Sequence, residues 1–67
     1  MVDYRNIIKK KRIQLGISQS KLAKLVGVAQ PFINEIESGR KSPSVEVLII
    51  ICEVLEIQMF GENDFVD

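Results

Sequence analysis

Nine cationic side chains, Arg5, Lys9, Lys10, Lys11, Arg12, Lys21, Lys24, Arg40 and Lys41, fall within the first 41 residues of a 67-residue chain. Residues 1–43 set only Asp3, Glu35 and Glu37 against them, so this segment carries a formal +6. Residues 44–67 hold Glu46, Glu53, Glu56, Glu62, Asp64 and Asp67 and no base, a formal −6. The chemistry on offer is therefore electrostatic and divided. The first two thirds can face a polyanion, and the last third suits something else. A net charge of +0 argues against indiscriminate adhesion to nucleic acid.

Bond-making chemistry has no foothold. The chain has no histidine, no nucleophile beside a recognisable base and no glycine-rich phosphate loop. Glu35 and Glu37, at i and i+2, do not face each other on a helix. Cys52 is the single cysteine, so a disulfide framework and a Cys/His zinc site are excluded within one chain. It is read as a small apolar filler. No enzyme activity, cofactor, metal or small-molecule ligand is expected.

The elements that must position the charges are helical. Tyr4–Leu15 places Ile7, Ile8, Leu15 and the stem of Lys11 at spacings of 3, 4 and 7, one stripe of a helix that Gly16 ends. Ser18 is a good N-cap for a second helix, Gln19–Val26, with Leu22, Leu25 and Val26 inward and Lys21 and Lys24 outward. Gly27 stops it. A third helix opens at Gln30 and Pro31, where proline costs no hydrogen bond, and closes at Gly39. Arg40-Lys41-Ser42-Pro43 then forms a basic turn. Ser44 caps the segment Val45–Ile57, whose β-branched run also fits a buried strand. Its length, its cap and its glutamates favour a helix with Val45, Leu48, Ile51, Cys52 and Leu55 inward. Ile49, Ile50 and Val54 lie on other faces, so this helix is covered on a second side, by another subunit. Its glutamates and its length, below the about 20 apolar residues a bilayer needs, argue against a membrane span. The start of the chain lacks the apolar core of a signal peptide, so a cytoplasmic protein is expected.

The stretch from Gln19 to Ser38 has a geometry of its own. Two helices crossing through a short turn need a small residue where they touch, and Ala23 supplies it. The turn needs a residue at ease with positive φ, and Gly27 supplies that. Val28, Ile33 and Ile36 pack the later helix on the earlier one. The outer face of Gln30–Ser38 is then free to enter a major groove.

In these residues the chain resembles the Xre-like helix-turn-helix domains of phage repressors and Cro proteins. The matched pattern is Arg12, Gly16, Ser18-Gln19, Leu22-Ala23, Gly27-Val28, Ile33, Glu37, Gly39 and Pro43-Ser44, continuing through Leu48, Ile51 and Leu55. It covers about residues 4–57. The resemblance implies an all-α bundle of four to five helices that binds an operator in double-stranded DNA as a homodimer. It also implies individual roles. Gln19 grips a phosphate at a helix N-terminus, with Ser18 and Lys21 beside it. Gln30 reads adenine and is paired with Gln19. Pro31, Phe32, Asn34 and Glu35 fall at or near other groove-facing positions. Ser38, Arg40 and Lys41 meet the DNA backbone. Arg12 and Glu37 form an ion pair between the first and third helices.

Three departures from the family pattern bear on the base contacts. Ala29 stands where the family has a Ser or Thr cap, Pro31 and Phe32 replace small polar residues, and Glu35 replaces a neutral or basic one. Phe32 is read either as a thymine-methyl contact or as a core or interface residue, and Glu35 either as a cytosine contact or as a residue that pairs with a nearby lysine or faces solvent.

The whole chain, 1–67, is thus read as one helix-turn-helix domain with the motif at 19–38. The function expected is transcriptional regulation, as a repressor, by a homodimer joined through Val47, Ile49, Ile50, Val54 and Phe60. The rival is an antitoxin-type module whose acidic, apolar C-terminal part neutralises a partner protein, with DNA binding secondary.

Overall fold

The computed structural model describes residues 4–57. Four helices follow one another: α1 (Tyr4–Gln14), α2 (Gln19–Val26), α3 (Gln30–Ser38) and α4 (Val45–Leu55). No strand occurs among the described residues, so the strand reading of the fourth segment falls. Met59, Phe60 and Phe65, the large apolar residues of the acidic tail, lie outside the described residues.

Local signals set the boundaries. The Ser18 hydroxyl accepts the Lys21 N–H at 3.0 Å and opens α2. Gly27 closes α2 in the left-handed region, φ 91°, with its N–H on the Ala23 carbonyl at 2.8 Å. Ala29 opens α3 with no side-chain cap, and Pro31 takes an early helical position where no N–H is missed. The Ser44 hydroxyl accepts the Val47 N–H at 3.2 Å and opens α4.

One cluster forms the core: Ile8, Leu22, Ala23, Ile33, Ile36, Ile51 and Leu55. Helix α2 packs on α3 and α4, and α1 packs on the same two. Each fully buried Ile or Leu side chain contributes about 1.5–3 kcal/mol. Ala23 is 2% exposed at the α2 crossing, the place for which a small residue was expected.

Four inward assignments are corrected. Ile7 and Leu15 are exposed: α1 buries Ile8 and Arg12, with Tyr4 partly buried on the same line, while Ile7 falls beside that line and Leu15 lies past the helix end. Leu25 is exposed, because it follows Lys21 by four and shares that outward line, while Leu22, Ala23 and Val26 face the core. Val45 is 71% exposed. It opens α4, where side chains lean toward the helix N-terminus and so reach past the packed layer. Two boundaries also move. Helix α1 ends at Gln14, not Leu15, and α4 ends at Leu55, not Ile57. Glu56 turns the chain at φ 60°, and Ile57 donates its N–H to the Cys52 carbonyl at 2.8 Å.

Candidate nucleic-acid interface

The site begins inside the protein. Arg12, on α1, donates from Nε to Glu37 Oε2 at 2.7 Å and from Nη2 to Glu37 Oε1 at 3.1 Å. Its Nη1 donates to the Ile17 carbonyl at 2.9 Å. Side-chain exposure is 11% for Arg12 and 4% for Glu37, so this is a buried, bidentate pair. It fixes α3 to α1 and to the loop before α2.

The carboxylate has a third partner. Gln19 Nε2 donates to Glu37 Oε1 at 3.1 Å. That commits the Gln19 amide nitrogen inward and turns its oxygen toward the surface. Gln19 Oε1 then accepts from Gln30 Nε2 at 3.0 Å and from Asn34 Nδ2 at 3.4 Å. Asn34 Oδ1 accepts from Arg40 Nη2 at 2.7 Å. A continuous run of hydrogen bonds therefore leads from a buried ion pair to the exposed start of α3 and on to the turn after it.

That turn is shaped by Gly39, at φ 84°. A Cβ there would also run into the Arg5 side chain. The reversal brings the Arg40 and Lys41 N–H groups onto the Glu35 carbonyl at 2.9 and 3.2 Å. The side chains follow the backbone: Lys41 Nζ lies 3.4 Å from Glu35 Oε1. Ser38 Oγ donates to the same Glu35 carbonyl at 3.2 Å.

The sequence-predicted residues fall into groups. Gln19, Gln30, Asn34 and Arg40 are brought together, and Arg12 and Glu37 support them. Gln30 and Pro31 are exposed, and Asn34 and Glu35 are half-buried. Ser18, Lys21, Ser38, Arg40 and Lys41 are exposed around them. Phe32 is half-buried against the core cluster, and Glu35 lies against Lys41. The nine residues of α3, QPFINEIES, include two acids and no base, so every cation lies on flanking segments. Three links were not foreseen, Gln19 to Glu37, Asn34 to Arg40 and Gln19 to Asn34. The second had a signal, since 34 and 40 straddle a glycine suited to reversing the chain.

Residues expected at a subunit interface divide likewise. Val47 and Val54 are half-buried against this chain's own core. Ile49 and Ile50 are 40% and 39% exposed. Phe60 lies outside the described residues. Cys52 is buried on α4, where burial pushes its thiol pKa above the ordinary thiol range and favours the neutral form. Among the described residues no helix is long and apolar enough to cross a membrane, and no group of three His, Cys, Asp or Glu could hold a metal ion.

The profile of a family described as helix-turn-helix matches residues 8–60. A Haemophilus influenzae protein named an uncharacterized HTH-type transcriptional regulator is 53% identical over 38 residues, 57% of this chain and 39% of that protein. YgzD of Bacillus subtilis, with the same description, is 34% identical over 55 residues, 82% of this chain and 83% of its own. A Methanothermobacter thermautotrophicus protein so described is 44% identical over 41 residues, 61% of this chain and 59% of its own. The chain thus spans less than two thirds of the Haemophilus and Methanothermobacter relatives and most of the Bacillus one. No solved structure matches.

Proposed function

Because the chain belongs to the helix-turn-helix family, we propose that it binds double-stranded DNA sequence-specifically and represses transcription as a homodimer on a two-fold operator. The observation that carries this is the hydrogen-bonded run that reaches Gln30. Gln19 holds one N–H of the Gln30 amide and leaves its oxygen and second N–H available. A free amide edge of this kind matches the donor and acceptor that adenine presents in the major groove. Asn34 extends the same edge along α3, with Pro31 beside it, while Glu35 and Phe32 lie at its margin.

The flanks support the rest of the reading. Ser18, Gln19 and Lys21 stand at the start of α2, Ser38 ends α3, and Arg40 and Lys41 stand just beyond it. Both groups bracket the base-reading helix with donors suited to phosphate. The apolar patch of Ile49 and Ile50 on α4 is the contact proposed between two subunits. A protein that acts on bacterial or phage DNA in this way works in the cytoplasm.

Selection from random duplexes tests the reading, with the oligomeric state followed by sedimentation. Enriched sites should be two-fold symmetric, with half-sites about one helical turn, roughly 34–36 Å, apart. Absence of any enriched sequence would overturn DNA recognition. A single enriched half-site with a monomer in solution would overturn the dimer. Co-purification of a second polypeptide on α4, with no operator binding, would favour the antitoxin role.

A further inference from the structure

We propose that Arg40 is a specificity-determining positioning residue, which fixes the Asn34 amide for base reading as well as meeting the DNA backbone. The inference rests on the DNA-binding reading above and names a residue's part within it. Its basis is a fold-back across Gly39. With φ 84° at Gly39, the chain reverses so that residues six apart become neighbours. Arg40 reaches Asn34 at 2.7 Å, and Lys41 reaches Glu35 at 3.4 Å. Two such pairs in register, with both backbone N–H groups on the Glu35 carbonyl, make the juxtaposition a property of the turn.

The consequence for Asn34 follows from counting its hydrogen-bonding capacity. Its oxygen accepts from Arg40 Nη2, and one N–H points to Gln19 Oε1. An amide held at both ends cannot flip. It presents one N–H and one oxygen lone pair in a fixed sense. Without Arg40 the 3.4 Å bond to Gln19 alone would hold it, and the amide could turn over and exchange donor for acceptor. The guanidinium has five N–H donors in a rigid plane, so one can hold Asn34 while others face a phosphate. Lysine keeps the charge but not the planar fork.

Arg40→Lys separates the two tasks. Parent, Arg40→Lys, Asn34→Ala and the double variant are titrated against a panel of duplexes carrying each base in turn across the selected half-site. A salt series on one non-specific duplex accompanies the panel. In Arg40→Lys, discrimination should fall by about fivefold or more at one base position, the range a lost bidentate contact covers. The non-specific salt slope should stay at the parent value. Arg40→Lys should add nothing at that position once Asn34 is alanine. The Asn34 side-chain amide resonances of the DNA-free protein should shift in Arg40→Lys. An unchanged base profile in Arg40→Lys, with the parent still selective, would overturn the positioning role alone. A parent with no base preference would overturn it together with the reading beneath it.

Discussion

Arg12 and Glu37 meet at 2.7 Å with the carboxylate 4% exposed, and the same carboxylate holds Gln19 at 3.1 Å. The pair is thus both a strut between α1 and α3 and the inner end of the surface network. Removing one member leaves a buried, unpaired charge, which costs about 3–5 kcal/mol. A domain of this size holds only about that much net stability. Arg12→Ala and Glu37→Ala should therefore be largely unfolded at room temperature by circular dichroism. The double variant Arg12→Met with Glu37→Leu should recover much of the loss in urea titrations. Equal instability of single and double variants would count against this account.

Gln30 is exposed and bonded only to Gln19 among its side-chain contacts described above. Gln30→Ala should leave the melting temperature nearly unchanged. It should cost about 1–3 kcal/mol on the selected operator and relax preference at one base position. Binding to a panel of single-base operator variants checks this, and an unaltered profile would remove Gln30 from the reading set.

Lys21 stands exposed on the first turn of α2. Lys21→Ala should weaken specific and non-specific duplexes alike and reduce the salt slope of binding by about 1. A sequence-dependent loss would move Lys21 from grip to recognition.

Ile49 and Ile50 are about two-fifths exposed and are not members of the core cluster. Ile49→Glu with Ile50→Glu should keep the helical spectrum and yield a monomer by sedimentation, with operator affinity falling accordingly. Persistence of a dimer would place the subunit contact on another surface.

Ala29 opens α3 without a side-chain acceptor for the free N–H groups of the first turn. Ala29→Ser should stabilise the fold by about 1 kcal/mol. A rise in the urea midpoint with an unchanged slope is the expected observation. No rise would mean that the early proline and solvent already satisfy that turn.

The residues that punctuate the chain were the readable ones. Ser18, Gly27 and Gly39 act within a few residues of themselves, so α2 and α3 could be bounded from spacing alone. Leu25, Ile7, Leu15 and Val45 misled because helical periodicity does not say which of two adjoining stripes a distant helix will cover. In α1 the decision falls to Arg12, a charge that is buried because Glu37 meets it from α3. The Arg12–Glu37 pair and the Gln19–Gln30 contact were reached through family likeness. The links from Gln19 to Glu37 and from Asn34 to Arg40 depend on three helices and a turn arriving together, which no local pattern records.

Helix α3 carries no cation of its own, and its basic neighbours all sit on adjoining segments. In the proposed reading, base choice rests on α3 and grip mainly on its flanks, with Arg40 joining the two. On that reading, exchanging Gln30 or Pro31 redirects the protein to a new address while its hold on the sugar-phosphate rails stays as it was. A lineage built this way can wander among targets without first learning to adhere again.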